Sequence, residues 1–88
     1  MSVPNVPSTK IIRLRYFALL REQAGTAAEQ RPTTARTYAE LYGELQACYG
    51  FSLPVGQMKV AVNDTFVELS APVQEGDDVV FIPPVAGG

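Results

Sequence analysis

One amphipathic helix, bracketed on both sides by strand-like alternation, limits what this chain can fold into. Thr37 and Glu40 stand at the spacing of a capping box, in which each side chain satisfies an orphan backbone amide of the first turn. Gly50 supplies the stop. Between them Tyr38, Leu41, Leu45 and Cys48 recur on one helical face, with Tyr42 and Tyr49 at its edge. Gly43, inside the helix, costs up to about 1 kcal/mol against alanine, which implies either close packing or plain tolerance. A single helix cannot enclose a core alone, so its apolar stripe requires a sheet.

The sheet is legible on either side. After two prolines in residues 1–9, a flexible lead-in, Ile12, Leu14 and Tyr16 alternate with Ile11, Arg13, Arg15 and Phe17 as in a strand. Ala18 to Ala24 is rich in helix formers and stops at Gly25, which predicts a short helix. Ala27 to Arg31 is a weaker strand, ended by Pro32. Beyond the main helix, Met58, Val60 and Val62 alternate, Asn63-Asp64 signals a turn, and Phe66 to Leu69 returns as the second arm of a hairpin. Glu75-Gly76-Asp77-Asp78 reads as a solvated turn, and Val79-Val80-Phe81-Ile82 as a last strand suited to the middle of the sheet. The expected fold is α+β: a β-grasp domain over residues 10–82, a mixed sheet with one main helix on one face.

Composition excludes several functions. The net charge is −2, and the seven basic residues form no run, so phosphate neutralisation on a nucleic acid is not expected. No stretch approaches the roughly 18 apolar residues of a membrane span, and the start lacks a basic-then-apolar leader pattern. A single cysteine excludes an internal disulfide and a thiolate-rich metal site, and the acidic run lacks the ligand count of a calcium loop, so no metal is expected. Histidine, the commonest general base, is absent. A reduced, cytoplasmic carrier or binding module fits better than an enzyme catalytic by itself. Cys48 is expected as a small buried hydrophobe.

The remaining signal is the end of the chain. Two terminal glycines arise by chance about once in 200 chains at a glycine frequency near 7%. Pro83 and Pro84 lack amide donors, fix φ, and predict an end to the last strand. They turn residues 83–88 into an extended arm in which Val85, Ala86, Gly87 and Gly88 taper to a width that a tunnel can accept. A terminal carboxylate is a poor electrophile, and this chain has nothing to activate it. Adenylation by a partner using ATP makes the Gly88 carbonyl attackable, and a sulfur donor can then convert the acyl adenylate to a thiocarboxylate. No cofactor is expected on the chain itself.

These residues, with Tyr16-Phe17-Ala18, Arg21-Glu22, Gly25, Ala61-Val62-Asn63, Gly76-Asp77 and Phe81-Ile82-Pro83-Pro84-Val85-Ala86-Gly87-Gly88, resemble the small subunit of molybdopterin synthase, from about Lys10 to Gly88. The resemblance implies a ubiquitin-like β-grasp sulfur carrier in molybdenum cofactor biosynthesis. It implies an ATP-dependent activating enzyme, a sulfur donor system, and a large subunit into which the Gly88 thiocarboxylate inserts. There cyclic pyranopterin monophosphate receives sulfur, within a heterotetramer. Supply of sulfur to thiamine or cysteine synthesis, a ubiquitin-like modifier joined to lysines, and a purely structural interaction domain are the alternatives.

The strand pattern gives a separate sign of a partner. With Ile12, Leu14, Tyr16, Val67, Leu69, Val79 and Phe81 facing the helix, Phe17, Phe66, Val80 and Ile82 face the other way. The open face of such a sheet is ordinarily polar. These four, with Pro83, Pro84, Val85 and Ala86, are therefore the expected partner-binding residues.

Overall fold

The computed structural model describes residues 9–84. The expected lead-in therefore lies outside the described residues, apart from an exposed Thr9. Five strands and two helices follow in the order β1 (Lys10–Arg15), α1 (Ala18–Ala24), β2 (Ala28–Thr33), α2 (Tyr38–Tyr49), β3 (Lys59–Val62), β4 (Thr65–Val67) and β5 (Asp78–Ile82). The sheet order is β2-β1-β5-β3-β4. Only β1 and β5 run parallel, so the sheet is mixed and the last strand lies at its centre, as expected of a β-grasp.

Period-two alternation survives in the burial. Ile12, Leu14 and Tyr16 of the first strand segment, Val60 and Val62 of β3, and Val79 and Phe81 of β5 are buried against Leu41, Tyr42 and Leu45 of α2. Val67 and Leu69 pack on the edge of this core, half-buried. Asn63 and Asp64 both take positive φ, 52° and 70°, the primed-turn geometry that matches the twist of the hairpin strands.

The helix boundaries follow the capping residues. Thr37 accepts a hydrogen bond from the Glu40 amide at 3.2 Å, and Gly50 closes α2 at φ 71°. The return arm of the box differs from expectation. The Glu40 carboxylate takes the amide of Arg36, one residue further out, at 2.9 Å. The free amides of Tyr38 and Ala39 are instead taken by the carbonyls of Ala71 and Leu69. The return strand is consequently shorter than Phe66 to Leu69. It ends at Val67, and the chain leaves the sheet to meet the helix.

Three further expectations are corrected. Pro32 does not end β2 but lies within it, opposite Ile11. The amide and carbonyl of Ile11 are both engaged on the other side, by the Glu75 carboxylate and the Gly76 amide, so this is a pair without mutual hydrogen bonds on an edge strand. The N–H that proline lacks is not required there. On α2, Tyr42 lies in the core with no exposed surface, whereas Cys48 is exposed, its sulfur 3.9 Å from Arg31 Nη1. At about 100° per residue Tyr38 and Leu45 lie at the centre of the buried stripe with Leu41 and Tyr42 on either side, leaving Cys48 beyond Leu41 at its margin.

The acidic run, finally, is a turn with exposed Glu75 and Gly76 as expected, but its carboxylates also hold the fold. Asp77 is buried and accepts from the Tyr38 hydroxyl at 2.6 Å and the Gln74 amide at 2.8 Å. Asp78 pairs with Arg15 at 3.1 Å, and Glu75 holds the Ile11 amide at 2.9 Å. Burial and this Asp77 bond push the Tyr38 hydroxyl well above the usual phenol range.

Candidate functional site

The expected tail residues Val85, Ala86, Gly87 and Gly88 lie outside the described residues; the platform from which they depart does not. β5 delivers Ile82, then Pro83 and Pro84, to an apolar groove. Its other walls are Phe17, Ala18 and Leu19 at the start of α1, and Leu53 in the loop after α2. Phe17 is 52% exposed and Leu19 37%, while Ile82 and Pro83 are half-buried.

Each wall is fixed from below. The Leu53 carbonyl accepts from the Tyr42 hydroxyl at 2.6 Å and from Gln46 Nε2 at 3.2 Å. The Tyr42 ring packs edge-on against Phe81, centroids 5.2 Å apart, so the residue before Ile82 and the loop opposite share one support. Phe51 stacks on the other side of this cluster, 5.7 Å from Tyr42 and 6.0 Å from Tyr16. Gln23 of α1 exchanges hydrogen bonds with Ser52, and Leu20 is fully buried, which locks α1 beside the loop. The groove is thus built on rigid elements, as a surface that positions a reactive end needs to be.

The four sheet-face residues divide into two neighbouring sets. Phe17 and Ile82 meet at the groove. Val80 lies one step back along β5, in a row across the strands formed by Arg15, Val80, Ala61 and Phe66. Phe66 is the most exposed large apolar side chain among the described residues, at 66%. Lys59 pairs with Ile82, and Arg15, held by Asp78, sits beside Val80. α1 leaves Phe17 exposed rather than covering it. Leu19, Leu53 and Ala18 were absent from the sequence reading of the site. Leu19, flanking the fully buried Leu20 in α1, was the available signal, whereas nothing local marks Leu53.

The other polar cluster serves the fold. The hydroxyls of Tyr16 and Tyr49 both donate to Glu29 Oε2, at 2.5 and 2.6 Å, and Arg31 pairs with Glu44 at 2.8 Å, joining β1, β2 and the end of α2. Burial first, and then this bond to Glu29, pushes the Tyr16 hydroxyl far up. Among the described residues no three His, Cys, Asp or Glu side chains are grouped to hold a metal ion. No helix there is long and apolar enough to cross a membrane. What the groove offers is an apolar seat, with no acid or base lining it.

Known proteins are similar to this chain in sequence and in fold. The ThiS family matches residues 14–88. The molybdopterin synthase sulfur carrier subunit of Escherichia coli strain K12 is 35% identical over 81 residues, which cover 89% of this chain and 100% of that one. SAMP1 from Haloferax volcanii has the same fold, with a TM-score of 0.70 at 22% identity over 89% of this chain and 99% of that chain. The protein–protein complex of subunits 1 and 2 of molybdopterin-converting factor from Helicobacter pylori 26695 contains a chain 29% identical to this one. That match has a TM-score of 0.58 and covers 89% of this chain and 99% of the other. Matched from Leu14 in β1 to Gly88, the chain belongs to the ThiS family, among the relatives of the molybdopterin synthase sulfur carrier subunit.

Proposed function

We propose that this chain is the sulfur carrier of a molybdopterin synthase. An activating enzyme adenylates the Gly88 carboxylate with ATP, and a sulfur donor displaces AMP to leave a thiocarboxylate. The loaded end then gives its sulfur to cyclic pyranopterin monophosphate in the large subunit. A dithiolene needs two sulfurs, so two deliveries complete each product. The chain binds no cofactor and works in the cytoplasm, with two carriers on a dimer of large subunits.

The observation that carries this reading is the placement of β5. A central strand, fixed on both sides, runs directly into Pro83-Pro84 over an apolar groove, in a chain whose last two residues are glycine. Two features support a large subunit as the docking partner: the surface formed by exposed Phe17 and Phe66 with half-buried Ile82, and the relative in Helicobacter pylori that forms a complex of subunits 1 and 2. Pro83, Pro84, Val85 and Ala86 form the part of the arm that the large subunit encloses, with Val80 and Phe66 along its flank.

The test is the mass of the C-terminal peptide after incubation with ATP, activating enzyme and sulfur donor. The expected result is an oxygen-to-sulfur exchange confined to the peptide holding Gly88. An unmodified peptide, with the activating enzyme competent on another carrier, rejects the reading. Localisation to that peptide matters, because oxidation of Met1 or Met58 adds nearly the same mass.

A further inference from the structure

Among the described residues, six take a left-handed backbone conformation. Three are glycines, at 25, 50 and 76. Two more are Asn63 and Asp64, residue types that tolerate the region, in a turn that demands it. The sixth is Ala18, at φ 52°, which has neither excuse. An L-residue with a Cβ is strained there, and glycine would take the same conformation freely.

The Ala18 methyl does not repay that strain inside the fold. Ala18 is exposed and takes no part in the core. It stands instead on the rim shared by the apolar groove under Pro83-Pro84 and a second hollow of mixed character beside Arg21, Glu22 and Ala27. Backbone strain kept at an exposed residue beside a reactive end points to use of that residue by something outside the chain.

Ala18 lies where the arm departs from the domain, beside Pro83 and Pro84. Four residues follow Pro84, and at most about 3.6 Å per residue they reach roughly 14 Å, whatever their conformation. A large subunit that encloses Pro83 and Pro84 meets the groove walls on which these two residues lie. Those walls are Phe17, Ala18, Leu19 and Leu53, and they are almost wholly apolar.

We propose that Ala18 is a contact residue for the large subunit. Its methyl is held in a strained position because an apolar surface of that partner closes on it when the arm is inserted. The inference rests on the carrier reading above and adds a residue that sets the fit.

Two variants test it in the full chain, by thermal unfolding and by affinity for the purified large subunit of molybdopterin synthase from the same source. Ala18→Gly should keep or raise the unfolding midpoint while weakening binding about fourfold, the worth of one buried methyl. Ala18→Asn also tolerates the left-handed region but brings an amide to the apolar contact. It should retain the midpoint and lose more than tenfold in affinity. Affinity unchanged in both variants, or a midpoint that falls in Ala18→Gly, overturns the assignment of Ala18 and leaves the carrier reading standing. Failure of the unsubstituted chain to bind the large subunit at all overturns both.

Discussion

The two ends of β5 are built by opposite rules. At its start, polar groups are paired within the chain: Asp77 with the Tyr38 hydroxyl and Gln74 amide, Asp78 with Arg15, and the Asp78 amide with the Asn63 side chain. At its end, Ile82, Pro83 and Pro84 meet Phe17 and Leu53 through apolar surface left partly open. The first end spends its polar chemistry on holding strands and helix together. The second leaves apolar surface open to solvent. The proposed function thus places stability and docking at opposite ends of one strand.

That separation can be broken in order of expected effect. Deleting Gly88 should abolish sulfur transfer outright while leaving the unfolding midpoint unchanged, measured by thiocarboxylate mass and circular dichroism on the same sample. A shifted midpoint would tie the arm to the core. Asp77→Ala should do the reverse. It strips the partner from a buried tyrosine hydroxyl and a backbone amide, lowering stability by about 3 kcal/mol in urea titrations, with Gly88 still modified in the fraction that folds.

Alkaline pH should attack two buried tyrosines, Tyr38 at the polar end of β5 and Tyr16 in the separate cluster around Glu29. Tyr16 and Tyr38 are held neutral in the folded chain, above their ordinary value of 10.0, so the folded state retains protons that the unfolded state releases. Their contribution is complete below pH 10 and is lost above it, at roughly 1.4 kcal/mol per pH unit for each. A stability that stays flat between pH 9.5 and 11 would contradict this.

Ile82→Asp tests the open end. A carboxylate in the apolar seat should weaken large-subunit binding by about 2 kcal/mol, some thirtyfold, with a smaller loss of stability. Equal losses in both would place Ile82 with the core. The smallest effect belongs to neither end. Nothing lies within 4 Å of a Cβ built on Gly43, so Gly43→Ala should stabilise α2 by about 0.5–1 kcal/mol without touching affinity.

Local chemistry was legible where it decides local structure. Thr37, Gly50, Gly25 and the Asn63-Asp64 pair marked boundaries because capping and turn geometry involve only a few neighbouring residues. Alternation along β1 and β5 marked the core, and its continuation to Phe17 and through Phe66 of β4 marked the exposed side chains, because side-chain direction follows the pleat. The misreadings came from partners distant in sequence. Pro32 is tolerated because Ile11 is engaged by Glu75 and Gly76, more than sixty residues away. Asp77 is buried because Tyr38, 39 residues earlier, reaches it. Leu53 joins the site only because Tyr42 and Gln46 pull its carbonyl toward α2.

The central position of β5 also orders events during synthesis. β1 and β3 flank a gap that only β5 fills, and β5 is the last described strand to leave the ribosome. Until then the nascent sheet lacks its middle, and closing it joins segments more than sixty residues apart, a slow step for a small domain. A chain cut short before Ile82 would have neither a finished sheet nor an arm. The same strand therefore closes the sheet and carries Pro83-Pro84 to the groove, so a chain in which β5 fails to dock loses both at once.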